Sequence, residues 1–127
     1  MLTVALVLAA LAALVHVYIF VIESLQWEKP STLKAFGMNA EQAAVMKPLA
    51  YNQGFYNLFL ALEIGAGIGL VGPHRNAGVA LVAFGCASMV AAALVLVSSD
   101  GSKLRGAVVQ GAIPALALVA LLAWGIS

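Results

Sequence analysis

Charge is what this chain has least of. Lysine, arginine, aspartate and glutamate together make up 9% of its 127 residues, against roughly a quarter in an average soluble domain. The formal net charge is +1, with no basic run and no basic patch interleaved with aromatic rings, so nucleic acid is excluded as a partner. Cysteine is nearly absent as well. Cys86 stands alone inside an apolar run, which rules out an intrachain disulfide and makes it a small packing hydrophobe. There is no cysteine cluster and no His-x-x-Glu or His-x-x-x-His spacing, so no metal site is predicted and no cofactor is identified. The apolar runs also lack the strict alternation of a membrane β-barrel.

What the chain does have is hydrophobicity in long blocks. Hydrophobic residues make up 64% of it, gathered in runs at about 2–25, 51–71, 77–97 and 106–126. At about 1.5 Å rise per residue, each run covers the roughly 30 Å hydrocarbon core of a bilayer as a helix. The expectation is an all-α protein, a four-transmembrane-helix bundle forming a single transmembrane domain over 1–127. The first run is read as a retained helix rather than a secretion signal, because no lysine or arginine precedes it and it exceeds a typical signal core. Residues 27–50 and 98–105 share one face of such a bundle and hold Lys29, Lys34, Lys47, Lys103 and Arg105, while the opposite face has Arg75 alone. Basic residues stay on the cytoplasmic side, so both termini are expected outside and the first loop in the cytoplasm. Trp27 and Trp124 then fall in the two interfacial belts.

The first loop has helical signals of its own. Ser31 or Thr32 can cap a short turn carrying Leu33 and Phe36, Gly37 can end it, and Asn39 with Gln42 matches a capping box for a second short helix. Val45, Met46 and Leu49 give that amphipathic segment an apolar side, and Pro48 is expected to break it before the second span. It reads either as a helix lying on the headgroups or as a lid over a cytoplasmic vestibule. Near the fourth run, Asp100-Gly101 reads as a turn and Ser102 as a cap.

Polar residues embedded in apolar spans are costly, which makes them the best functional pointers here. On a helix turning about 100° per residue, His16, Phe20, Glu23 and Trp27 form one stripe. His16 and Glu23 are about 10.5 Å apart along the axis. Glu23 leans back toward His16, so a water, ion or ligand group can bridge them; the alternative is that each is satisfied separately. In the second run Asn52, Tyr56, Phe59 and Glu63 share a face, with Gln53 and Asn57 on an adjacent one. Glu63, near mid-span, is either a protonated structural acid or a proton carrier. Ala61, Gly65 and Gly69, and in the third run Ala83, Ala87 and Ala91, repeat at the small-xxx-small spacing of close helix contact. Pro114 in the fourth run removes the N–H that would bond the carbonyl of Gln110. Candidate ligand-binding residues are therefore His16, Glu23, Asn52, Gln53, Tyr56, Asn57 and Gln110, converging on a cytoplasm-facing polar pocket, with His16 and Glu23 the candidates for acid/base catalysis.

His16 through Glu23 to Trp27, Phe36-Gly37, the run Asn52-Gln53-Gly54-Phe55-Tyr56-Asn57 and Gln110-Gly111-Ala112-Ile113-Pro114-Ala115 together resemble a family of short four-helix bacterial membrane proteins, domain of unknown function thirteen hundred and four. The resemblance runs over nearly the whole chain, and Glu63 and Asp100 lie outside its pattern. It implies a common bundle in the bacterial cytoplasmic membrane and carries no activity. Three functions stay open: a small transporter using Glu23 or Glu63 as a proton-competing carboxylate, a membrane-embedded enzyme with a His16/Glu23 pair acting on a lipid or apolar metabolite, and a non-catalytic accessory or ligand-binding subunit. The expected partners are the lipid bilayer, a small molecule or ion, and further copies of the chain, because four short helices need a dimer to enclose a pathway. For orientation, a cysteine placed at position 103 should react with a membrane-impermeant alkylating reagent only from the cytoplasmic side; labelling from outside would reverse the topology.

Overall fold

The computed structural model describes residues 1–126. Its α-helices are α1 (Leu2–Phe20), α2 (Pro30–Phe36), α3 (Ala40–Leu70), α4 (Arg75–Ser99) and α5 (Leu104–Gly125), with a π-helical turn at Val21–Leu25 and a 3-10 turn at Gly101–Lys103. Among the described residues there is no strand, so the protein is all-α. Three segments, Leu2–Leu25, Arg75–Ser99 and Gly101–Gly125, are long and apolar enough to cross a membrane. α3 is the longest helix at 31 residues, but Asn52, Gln53, Asn57 and Glu63 dilute its apolar stretch. The four long helices pack in a ring. α1 and α4 each lie against α3 and α5, and touch each other only slightly across the diagonal.

Small residues make those contacts close. α1 turns Ala5, Ala9, Ala12 and His16 inward, a four-three-four spacing that keeps one narrow face on its neighbours. α4 buries Gly78, Val82, Gly85, Cys86, Met89 and Ala93. A Cβ on Gly78 would lie 2.5 Å from the Val71 nitrogen and 2.6 Å from the Gly67 carbonyl oxygen, and one on Gly111 would lie 2.6 Å from the Ala93 Cβ. Backbone meets backbone at Gly78, and at Gly111 it meets the Ala93 methyl. The expected small-residue stripes are largely uncovered: Ala61 is buried, but Gly65 and Gly69 are exposed and a Cβ on either would meet nothing within 4 Å, and Ala87 and Ala91 are exposed with Ala83 half-buried. Four-residue spacing makes a smooth face, and without a preference for burying apolar surface nothing in that spacing says which smooth face is covered.

The first loop departs from expectation in three ways. Neither Ser31 nor Thr32 caps α2: the cap position is Lys29, Pro30 opens the helix, and Thr32 is buried. Proline fits there because its fixed φ suits the first helical position and its missing N–H would be unpaired anyway. Gly37 ends α2 at φ 65, the left-handed conformation that glycine adopts without strain. The Asn39/Gln42 capping box is present in both directions, yet the helix it starts does not stop at Pro48 and runs on to Leu70. Proline withholds a single amide from the Ala44 carbonyl, and the helix on the N-terminal side is tied down. The Trp27 indole N–H donates to the Ala43 carbonyl at 2.9 Å, and Lys47 pairs with Glu28.

Trp27 is thus covered by protein and not an open ring at the end of the first run. It is 6% exposed, packs against Phe36 at 5.0 Å between ring centroids, and forms a second core with Ala43, Ala50, Leu33, Phe36 and Met38. At the other hairpin the capping roles are reversed, because Asp100 accepts from both the amide and the hydroxyl of Ser102. Those bonds, the hydroxyl first, hold the Asp100 carboxyl below its ordinary range. The close backbone contacts set up a contrast between two glycines. Gly78→Ala should lower unfolding stability in detergent by about 1–3 kcal/mol, the cost of overpacking, whereas Gly65→Ala should change it little; equal losses would place the helix contact elsewhere.

Candidate functional site

The site begins with an irregularity in the first helix. At Val21–Leu25 the helix widens to a π-turn, closed by the Gln26 N–H donating to the Val21 carbonyl at 2.9 Å. Such single π-turns re-aim side chains and recur at functional positions. Here the turn brings Ser24 and Glu23 onto α3. The Ser24 hydroxyl donates to the Tyr51 carbonyl at 2.8 Å, and the two backbones approach so closely that a Cβ on Gly54 would collide with Ser24 Oγ and lie 3.0 Å from the Ser24 nitrogen. Glycine at 54 is what permits the approach.

One turn further along α3, Asn57 Nδ2 donates to Glu23 Oε2 at 3.1 Å and to the Gln53 carbonyl at 3.0 Å. Both neighbours are acceptors, so the amide must present its NH2 end to them. Glu23 is half-buried. Beside the pair, Phe20 meets Phe55 edge-on at 5.1 Å, and Phe55 is flanked by Tyr51 at 5.1 Å and Phe59 at 6.2 Å.

The remaining candidates are not drawn into this cluster. His16 is 1% exposed, with Nδ1 2.9 Å from the carbonyl of Ala12 in its own helix. A carbonyl only accepts, so Nδ1 carries the proton and a neutral ring leaves Nε2 as an acceptor. No hydrogen bond joins His16 to Glu23 among the described residues. The side chains of Asn52, Gln53 and Tyr56 are exposed, and Gln110 is half-buried. Glu63 is half-buried on the α4 side, its carboxyl carbon 3.6 Å from where a Cβ on Gly85 would lie. Ser24, Gly54 and the Tyr51 carbonyl were not among the expected site residues. A glycine inside a run of amides and aromatic rings was the available signal, since an embedded glycine often marks close backbone approach.

Two open depressions lie at opposite ends of the ring. One, of about 370 Å³, is lined by Ser24, Leu25, Gln26, Trp27, Glu28, Lys29 and Pro30, so it adjoins the π-turn. The other, of about 390 Å³, is lined by His74, Arg75, Asn76 and Ala77. Neither is lined by His16, Asn57 or Gln110. Among the described residues no three His, Cys, Asp or Glu side chains form a metal-ligand set.

An all-α ring with three helices apolar enough to span a bilayer, and a carboxylate–amide pair between two of its helices, is consistent with a membrane protein. The chain belongs to the DUF1304 family, described as protein of unknown function, whose family model matches residues 10–122. The match takes in the π-turn, the amide run of α3 and Pro114. No curated protein and no solved structure matches the chain.

The contact between Ser24 and Gly54 can be read by a double-mutant cycle. Gly54→Ala should destabilise the protein by about 1–3 kcal/mol through overpacking, and Ser24→Ala should relieve part of that loss when the two are combined. Strict additivity would mean that the two residues do not touch.

Proposed function

We propose that this is an integral protein of the bacterial cytoplasmic membrane that binds a small ligand or ion at Glu23 and Asn57, and that it works as a small transporter. In this reading the run at 51–71, which α3 carries up to Leu70, supplies a fourth span, and both termini lie outside. The antiparallel ring supports that arrangement, since α3 connects one end of α1 to the start of α4 and lies against both. The lysine distribution supports the orientation.

The observation that carries the site is Glu23 itself. It lies in the apolar segment Leu2–Leu25, receives one side-chain hydrogen bond, from Asn57, and has no salt-bridge partner among the described residues. An acid at the centre of a spanning helix costs about 2.5–3.5 kcal/mol on insertion scales, and less toward the interface. Glutamine would fill the same space without that cost, and what the carboxylate adds is its charge or its proton. Protonation of Glu23 would compete with the ligand, and a second copy of the chain would complete the pathway, which makes the working form a homo-oligomer. The depression lined by Ser24 to Pro30 adjoins the π-turn without including Glu23 or Asn57, so in this reading access to the carboxylate requires the turn to open. Turnover by a His16/Glu23 acid–base pair has less support, because Nδ1 of His16 is held by its own helix.

Reconstitution in liposomes tests the reading. Wild-type protein should carry a proton flux that Glu23→Gln reduces at least tenfold while retaining its helical circular dichroism, with Tyr18→Phe, an exposed site on α1, as control. Equal flux in Glu23→Gln would remove Glu23 from the function. Product formation from a membrane extract without flux would move the protein to the enzyme class.

A further inference from the structure

We infer that the ligand taken at Glu23 and Asn57 is a small monovalent cation. This rests on the binding site proposed above and follows from counting its donors and acceptors. Both amide hydrogens of Asn57 are committed, to Glu23 Oε2 and to the Gln53 carbonyl. The hydroxyl hydrogen of Ser24 is committed to the Tyr51 carbonyl. What the protein leaves unclaimed is Glu23 Oε1, Asn57 Oδ1 and the lone pairs of Ser24 Oγ, all acceptors. With Glu23 ionised, the set carries one negative charge.

Among the described residues no cationic side chain pairs with Glu23. The salt bridge among the described residues joins Lys47 to Glu28, at the surface. An anion arriving at the cluster meets a like charge and no free donor, so its desolvation is not repaid. A cation meets an opposite charge and side chains whose remaining capacity is to accept or coordinate through oxygen. Phe55, in ring contact with both Phe20 and Tyr51 at 5.1 Å, joins the same two segments that carry the cluster. Charge matching selects the valence. Calcium and magnesium sites gather several oxygens and usually more than one carboxylate, and this cluster offers one carboxylate. The exposed side-chain amides of Asn52 and Gln53 carry a donor and an acceptor each and favour neither sign.

The full-length protein, purified in detergent, can be titrated calorimetrically with sodium, potassium, ammonium and methylammonium chlorides, ionic strength being held with N-methylglucamine chloride. Saturable binding of at least one of these cations is expected, weakened at least tenfold in Glu23→Gln. The alkali and ammonium arms separate a bare ion from one that donates N–H bonds. Glu23→Gln keeps the acceptor used by Asn57, so it should fold. Asn57→Leu is the second variant, with the same expected loss, and if it does not fold the Glu23→Gln comparison decides. N-methylglucamine phosphate and acetate form the opposing arm. Saturable anion binding that is lost in Glu23→Gln would overturn the cation class and keep the site. Cation binding equal in wild type and Glu23→Gln would overturn the site itself. Absence of saturable binding by all four cations would overturn this inference and leave the site to the flux measurement.

Discussion

Helices whose outer faces are as apolar as their inner ones gain little by hiding hydrophobic surface from each other. Association in lipid then depends on dispersion at short range and on interhelical hydrogen bonds, which makes close approach the controlling constraint. This ring meets that constraint with glycine and alanine. Ala5, Ala9 and Ala12 let α1 lie near both neighbours, Gly78 lets the turn between α3 and α4 close on itself, and Gly111 seats α5 on Ala93. Larger side chains such as Ile64, Val82 and Met89 fill the centre that these contacts define.

The same constraint creates the polar cluster. With Gly54 under the π-turn, the end of α1 lies on the α3 backbone, near enough for Ser24 to bond a main-chain carbonyl. The Trp27 core then holds the chain just beyond the turn, through one hydrogen bond to the Ala43 carbonyl and the contact with Phe36. Two anchors that both follow Glu23, one a residue after it and the other four, fix the segment that carries it. A loop-borne acid could swing out to water. This one is held against α3 by packing on both sides, and its bond to Asn57 follows from where the helix puts it.

Much of this was legible in the chain and some was not, for different reasons. The helical class, the Asn39/Gln42 box and the Gly37 stop depend on local rules, and local rules act on residues near each other in sequence. The stripe His16, Phe20, Glu23 and Trp27 was also readable, because one helix carries all four. Its meaning was not. Burial of Trp27 depends on α2 and the start of α3 folding over it, and the partner of Glu23 lies 34 residues away. Pro48 misled for a related reason: its cost is local, while the ties that outweigh it, from Trp27 and Glu28, come from another segment. Spacing alone also could not sort covered small residues, as at Ala61, from open ones, as at Gly65 and Gly69, since in lipid both kinds of face are acceptable.

The polar balance of the helices leans one way. Pro48 and Pro114 lie inside α3 and α5, and a proline gives no N–H to the carbonyl four residues before it, which adds acceptors at Ala44 and Gln110. His16 spends its one proton on Ala12, leaving another acceptor. Ser24 and Asn57 spend theirs on carbonyls and on Glu23. Hydrogen bonds between membrane helices average only about 0.6 kcal/mol, so holding the ring together does not require so one-sided a set. A structural network would be free to mix donors and acceptors until both were satisfied. The acceptors at Ala44, Gln110 and His16 are spread through the ring; those beside the carboxylate belong to Ser24 and Asn57, and water, a proton or a cation can complete that smaller set, of which only the last two also remove the charge.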